Sequence, residues 1–292
     1  MDYRILEDIS KWSIEQRIDA LKTIYKERMG IELDIENPKR FSEKCQKLKL
    51  FCNDPLMTKC VNKLTFKQYV REKLGNGYTA ELIDVWHSPV DVNIRDVPEK
   101  CVIKSNCSKE GECLYIIKDK KKIDIEKLEN EIRERWFDWR LLNTNSFNCM
   151  YYDVKPCVLV EEYIEECDRD ADEYKVMCFG GIPQYIYKVE GHFTNGQNNI
   201  GRYAVSFFTK EWKYIDVQVG KHENNPNATK PVNIQKMLEI SEILSKDFPF
   251  VRIDFFETDS GLKLSELTFV PNSGLKKYYP DSFDLEMGRL WK

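Results

Sequence analysis

The sequence predicts an α+β protein with largely antiparallel sheet and a reduced, helical N-terminal region. Three observations carry that prediction. Near the C-terminal end, VRIDFF and LKLSELT flank the turn Thr258-Asp259-Ser260-Gly261, the pattern of a β-hairpin. Upstream, EYKVMCFGGIPQYIYKVE reads as a second strand pair. The first forty residues instead set Ile14, Ile18, Leu21 and Ile24 or Tyr25 at helical spacing.

Taken in order, the helical start runs until Asn37-Pro38 breaks it. A second helix is expected over FSEKCQKLKLF with Ser42 as N-cap, and a third from about Asn62 to Leu74, stopped by Gly75-Asn76-Gly77. All three read as surface helices. Glu81 to Trp86 is a short strand candidate. From Lys100 the texture changes, with strands CVIKSN and CLYIIKD joined by a polar turn that contains Gly111. The segment IDIEKLENEIRERWFDWRLL is a long amphipathic helix, and CVLVEEYI is a strand that stops in a run of acids. An Asn/Gly-rich loop through HFTNGQNNIG, strands near YAVSFFT and WKYIDV and the helix NIQKMLEISEILSKDF lead to the hairpin, followed by a Pro/Gly/Lys/Tyr tail.

Composition narrows the function classes. The chain has 292 residues and sets 45 Lys+Arg against 49 Asp+Glu, a net charge of -4, which argues against a nucleic-acid binder. The charged N-terminus has no apolar core like that of a signal peptide, and no window offers about 18 uninterrupted apolar residues. A cytoplasmic protein without a membrane span is expected. The 10 cysteines include no C-x-x-C pair and only 3 histidines accompany them, so they read as reduced, structural thiols. The recurrence of Cys101, Cys107 and Cys113 every six residues is a metal-like run, but Cys101 enters a strand. His87, His192 and His222 are assigned no catalytic role.

Several charged residues stand where charge is costly. Asp254 and Glu266 each sit among apolar residues, and a carboxylate there needs a compensating cation. On facing strands they bring together two hard oxygen ligands, which suits Mg²⁺ held between protein and phosphates; the alternative is a surface hairpin with both acids in solvent. Lys104 ends an apolar strand and precedes the loop Ser105 to Glu112, where Ser105, Ser108 and Gly111 border free backbone amides, a plausible phosphate clamp. Lys63 opens a helix. The strand end Glu161-Glu162-Tyr163-Ile164 can read a purine with one carbonyl and one amide, although acids there also act as gatekeepers against aggregation. Glu173-Tyr174-Lys175 opens another strand and is expected to place a lysine near the same sheet. Arg252 either orients a carboxylate or phosphate through its planar fork or pairs with a nearby acid to fix the hairpin.

The order of these pieces resembles the ATP-grasp superfamily, and in closer detail the TupA-like ATP-grasp proteins of polysaccharide biosynthesis loci. The resemblance runs from about Pro38 onward and rests most on NPKRFSEKCQKLKL, DEYKVMCFGGIP, DFPFVRIDFF and SELTFVPNSG. It implies an ATP-grasp fold with a helical region over 1–60, a small subdomain with the phosphate loop over 61–157, and a C-terminal subdomain with hinge and metal hairpin over 158–292. It further implies that Lys63 and Lys104 contact ATP phosphates, that Glu161, Glu162, Tyr163 and Ile164 form the adenine hinge, and that Ser105, Ser108 and Gly111 belong to the loop over the triphosphate. Lys175 and Arg252 would act at the reacting groups, with Lys175 also touching the nucleotide. Asp254 and Glu266 would hold Mg²⁺, with Thr268 where the superfamily usually has Asn. Asn62-Lys63 also departs from the usual Asp-Lys, and Cys107 stands in a loop that is commonly richer in Gly.

The activity so implied is an ATP- and Mg²⁺-dependent carboxylate–amine ligase working through an acylphosphate. It would attach an amino acid or other amine to a uronic-acid sugar, free or nucleotide- or lipid-linked, alongside other polysaccharide-synthesis enzymes. A kinase acting on a sugar hydroxyl and a non-catalytic nucleotide-binding scaffold are the alternatives.

Overall fold

Ser13 and Gln16 cap each other's backbone N–H groups at the start of α1 (Ile14–Met29), a reciprocal box that satisfies two otherwise unpaired donors. The computed structural model describes residues 9–108, 113–138, 147–165, 173–191 and 203–292. Leu21, Tyr25 and Met29 of α1 face inward and pack with Leu33, Ile35, Leu50 and Phe147. The next helix, α2 (Phe41–Phe51), has Arg40 rather than Ser42 at its N-cap position. Ser42 is drawn inward, its hydroxyl lying 2.7 Å from the Tyr25 hydroxyl and donating to Asp284 Oδ2 at 2.6 Å. Nor is α2 a surface helix. Phe41, Cys45, Gln46 and Lys49 are buried, because α2 packs on α7 (Ser282–Leu290), a helix that forms within the expected tail. A seven-residue helix, α3 (Pro55–Val61), is a further addition, and α4 (Lys63–Leu74) runs between Asn62 and Gly75 as expected.

Two antiparallel sheets carry the rest. Strands β1 (Leu82–Trp86), β2 (Cys101–Ser105), β3 (Leu114–Ile117) and β4 (Val158–Glu162) form the first, in the order β1-β4-β2-β3. Alternation sorts its faces: Cys101, Ile103, Val158 and Val160 cluster with Leu128 and Ile132 of α5 (Ile125–Arg135), which leaves Lys104 and Glu161 on the other face. Fully burying each of those valines stabilises the sheet by about 1.5–3 kcal/mol. The end of the predicted long helix, residues 139–142, and the Asn/Gly-rich loop over 192–201 lie outside the described residues.

The second sheet has six strands: β5 (Glu173–Phe179), β6 (Ile182–Glu190), β7 (Ala204–Thr209), β8 (Tyr214–Ile215), β10 (Phe250–Thr258) and β11 (Gly261–Thr268), ordered β11-β10-β5-β6-β7-β8. A two-stranded ribbon pairs β9 (Gln218–Val219) with β12 (Tyr278–Tyr279). Helix α6 (Ile234–Ser245) packs on β5, β6 and β10 through Met237, Ile240 and Leu244, all buried. The main core joins this sheet to α2, α3, α4, α6 and α7. Among the described residues, no helix is long and apolar enough to cross a membrane.

Candidate functional site

The hairpin is a constrained centre rather than a solvent-facing loop. Asp254 on β10 pairs directly with Glu266 on β11 on one side and with Lys175 on β5 on the other. Lys175 in turn faces Tyr187 on β6, and Tyr187 faces Phe207 on β7. Residues directly opposite in adjacent strands share a face, so five strands contribute one cross-strand row: Glu266, Asp254, Lys175, Tyr187, Phe207. One end of the row is charged and the other aromatic, with the Tyr187 and Phe207 rings stacked at 4.8 Å.

The charges are compensated in place. Lys175 Nζ donates to Asp254 Oδ2 at 2.5 Å and to Glu173 Oε1 at 2.6 Å. Arg252, on the same face as Asp254, donates from Nε to Asp254 Oδ1 at 2.6 Å and from Nη2 to Asp254 Oδ2 at 2.5 Å. Nη2 also reaches Glu266 Oε1 at 2.8 Å and Thr268 Oγ1 at 3.1 Å, and Nη1 reaches the Tyr187 hydroxyl at 3.1 Å. Burial pushes the Asp254 carboxyl up while Arg252 and Lys175 oppose it. Burial would raise Glu266 too, but Arg252 and Lys63 outweigh it and hold that carboxyl down at about 2. Lys175 loses by burial and gains more from Asp254 and Glu173, so its ammonium is held above the usual lysine range. Of the two readings of Arg252, the structure shows the pairing with nearby acids, the guanidinium tying β10 to β11 through Asp254 and Glu266.

A second group lies on the open face of the four-stranded sheet. Glu161, buried on β4, forms ion pairs with Lys104 at 2.7 Å and with Lys67 at 2.9 Å. Lys63 Nζ donates to the carbonyl of Ser108 at 3.0 Å, and burial pushes its pKa down although Glu266 opposes this. Asn106 knits this corner: its carbonyl accepts from Lys63 N at 2.9 Å and its side chain bonds Asn62, Lys155 O and Cys157 N. Three lysines thus stand against one glutamate. In the row, Asp254, Glu266 and Glu173 stand against Lys175 and Arg252, leaving one residual negative charge. Two carboxylates and the Thr268 hydroxyl, which donates to Glu266 Oε1 at 2.8 Å, form a hard oxygen donor set of the kind Mg²⁺ takes, and the residual negative charge favours a divalent cation. The donor chemistry suits that ion, while both Asp254 oxygens are held by Arg252 and Lys175 and Glu266 Oε1 by Arg252 and Thr268, so those contacts would have to yield to a bound cation.

The expected residues therefore gather into two groups, Lys63, Lys104 and Glu161 in one and Lys175, Arg252, Asp254, Glu266 and Thr268 in the other, linked by the electrostatic coupling of Lys63 to Glu266. Glu162 accepts from Glu81 N at 2.9 Å and so fixes the start of β1. Tyr163 and Ile164 lie just beyond β4, with Lys100 Nζ 5.7 Å from the Tyr163 ring. Ser105 and Ser108 are buried; Gly111 falls outside the described residues. Lys67, Glu173 and Tyr187 are additions to the expected set. Lys67 is one helical turn after Lys63, a spacing that puts both on one face and is visible in the sequence. Glu173 and Tyr187 become neighbours of Lys175 only through strand pairing. Among the described residues, no three His, Cys, Asp or Glu side chains group as a metal site.

Comparison with known proteins places the chain in a family. The family model described as TupA-like ATPgrasp matches residues 43–292. No curated protein gives a significant match. Among solved structures, D-alanine–D-alanine ligase from Bacillus anthracis is similar at 17% identity, covering 73% of this chain and 58% of that one, with a TM-score of 0.44. Phosphoribosylamine–glycine ligase from Thermotoga maritima follows at 14% identity, 75% and 51% coverage and 0.46. D-Alanine–D-alanine ligase from Helicobacter pylori gives 14%, 80% and 61%, and 0.44. The chain thus spans between 51% and 61% of the length of these solved proteins. With the family match extending over most of its length, the chain belongs to the TupA-like ATP-grasp family.

Proposed function

We propose that the protein is an ATP- and Mg²⁺-dependent carboxylate–amine ligase that forms an amide through an acylphosphate, with a uronic-acid sugar of a cell-surface polysaccharide as the acid. The observation that carries this reading is the presence of two unlike charged groups, one of Lys63, Lys67, Lys104 and Glu161 and one of Asp254, Glu266, Lys175 and Arg252. Three lysines against one glutamate suit a triphosphate, and the acid pair at the row's charged end suits the cation that accompanies it.

In this reading Lys63, Lys67 and Lys104 bind phosphate oxygens, displacing part of their present contact with Glu161 and the Ser108 carbonyl. Adenine lies against the strand end at Glu161 to Ile164, and Ser105, Ser108 and Gly111 belong to the loop over the phosphates. Asp254, Glu266 and Thr268 would hold Mg²⁺, which when bound would offset charge on the triphosphate. Arg252 and Lys175 orient the oxygens around the γ-phosphorus, where fixed cations in a buried setting act without reorganisation. A carboxylate oxygen of the sugar attacks that phosphorus, the bond to the β–γ bridging oxygen breaks and ADP leaves. The amine then attacks the acyl carbon, the carbon–oxygen bond to phosphate breaks, and the amine proton is lost as the amide forms. A solution-exposed acylphosphate would hydrolyse, so closure of the site protects it.

Hydroxylamine tests the proposal. With ATP, Mg²⁺ and a panel of uronates and their nucleotide conjugates, the expected product is a hydroxamate formed together with ADP, read by mass spectrometry. A phosphorylated sugar without hydroxamate would instead establish the kinase alternative.

A further inference from the structure

The short ribbon of β9 and β12 gathers cations beside the row. Val219 pairs with Tyr278, and one step on the Gly220 N–H donates to the Lys277 carbonyl at 2.9 Å. There the chain turns, closed by His222 N donating to Val219 O at 3.1 Å. Gly220 takes a left-handed φ of 59°, and the Lys276 side chain lies across it: a Cβ on Gly220 would come 3.7 and 3.8 Å from Lys276 Cδ and Nζ. Lys221, exposed, and Lys276, half-buried, therefore flank one turn. Alternation turns Lys277 the other way, toward the C-cap of α1, where a Cβ on Gly30 would come 3.3 Å from its Nζ.

Lys221 and Lys276 differ from the other cations of the site. Lys175, Arg252, Lys67 and Lys104 hold carboxylates, so their charge is already offset. Among the described residues no carboxylate pairs with Lys221 or Lys276, Glu223 close by in sequence included. The group facing Lys276 Nζ is the His222 imidazole, with Nε2 at 3.4 Å, and that ring is stacked on Tyr203 at 4.2 Å. An ammonium only donates, so Nε2 accepts and brings no negative charge. Two neighbouring like charges without a counterion repel each other and attract an anion. Lys276 and His222 line the same small cavity, about 30 Å³, as Lys175 and Arg252. An anion at the ribbon thus stands beside the row.

We propose that Lys221 and Lys276 bind the diphosphate of a carried sugar, so that the acid reaches the enzyme as a sugar diphosphate ester rather than as a free sugar. A diphosphate esterified at both ends keeps one negative charge on each phosphorus, and the ribbon offers one lysine to each. Lysine suits this duty as a compact point charge on a flexible stem. Because Lys221 is exposed, the group on the far side of the diphosphate, a nucleoside or a polyprenyl chain, stays outside while the sugar lies toward Arg252. The anion site stands on the ribbon itself; that its sugar is the acid to be activated rests on the ligase reading.

The test is calorimetric titration of UDP-glucuronate, UDP-glucose and D-glucuronate into protein with Mg²⁺ and a non-hydrolysable ATP analogue, with cosedimentation on phosphatidylcholine vesicles carrying a polyprenyl diphosphate as the lipid arm. At least one carrier is expected to bind, the UDP-sugars at least tenfold more tightly than D-glucuronate or the loaded vesicles at least tenfold more than bare ones, and the arm that binds identifies the carrier. Combining Lys221→Gln with Lys276→Gln should weaken that binding at least tenfold. Lys277→Gln should leave it unchanged, and none of these changes should alter affinity for the ATP analogue. Neither carrier binding, D-glucuronate binding as tightly as UDP-glucuronate, or a double variant that binds like the parent would overturn the assignment. Carrier binding that depends on the two lysines in a protein that forms no hydroxamate would sink the ligase reading and leave the anion site standing. Hydroxamate formed from free D-glucuronate, undiminished in the double variant, would keep the ligase and remove the site.

Discussion

Replacing Asp254 by Asn should separate the two acids of the hairpin, which are alike in proposed chemistry and unlike in structural burden. Asp254 is fully buried and accepts three charge-assisted bonds, two from Arg252 and one from Lys175. An amide of the same shape leaves those two cations sharing Glu173 and Glu266. Removing one partner of a buried ion pair typically costs about 3–5 kcal/mol. For 292 residues, an unfolding entropy of about 2.1 cal/mol/K per residue gives about 0.6 kcal/mol/K, so the apparent Tm should fall by about 5–8 °C. The Glu266 side chain is 35% exposed and Arg252 keeps Asp254 without it. Solvent screening then limits the cost of Glu266→Gln to about 1 kcal/mol, a shift of about 1–2 °C. Melting curves without nucleotide, paired with an ADP-release assay, should show both variants inactive and only Asp254→Asn melting early. An Asp254→Asn variant as stable as the parent would refute the view that this carboxylate anchors the row.

Lys67→Ala and Lys104→Ala should each weaken Mg-ATP binding by about tenfold or more, since a hydrogen bond to a charged group contributes about 1.5–3 kcal/mol; a fluorescence titration in which Lys67→Ala matches the parent would remove Lys67 from the phosphate site. Glu266 also predicts a pH dependence. Its carboxyl is lowered in the folded chain from 4.5 to about 2, so its contribution is complete above about pH 4.5 and is lost as pH falls toward 2. Urea denaturation at pH 5 and pH 3 should show the parent losing more stability than Glu266→Gln over that interval, and parallel losses would count against the ion pair.

The hairpin was legible because its pattern is local: apolar alternation set the register and the Asp-Ser turn closed it, so Asp254 and Glu266 met as direct partners. The positions of Lys63 and Lys104 in the fold were legible for a similar reason, each standing at the boundary of a periodic segment, Lys63 at the start of α4 and Lys104 near the end of β2. Ser42 was misleading, because a residue with ordinary capping chemistry was claimed by Tyr25 and by Asp284, 242 positions away. Helix α7 was hidden because SFDLEMGRL is short and contains Gly288, whose reason lies elsewhere in the chain: a Cβ there would come within 2.0 Å of the Lys39 carbonyl oxygen. The roles of Glu173 and Tyr187 depend on β5 lying between β10 and β6, and no single strand carries that information.

The embrace of α2 by α7 has a temporal side. Residues 282–290 leave the ribosome some 240 positions after α2, yet Asp284 is the partner of Ser42 and the backbone at Gly288 lies against Lys39. Until then the inner face of α2, with Phe41 and Cys45, has no cover from that side. Contacts so distant in sequence form late, after a large loop-closure cost has been met. Translation can therefore finish both sheets before Phe41 and Cys45 gain their cover from α7, and the packing of α7 on α2 should be among the last contacts of the molecule to form.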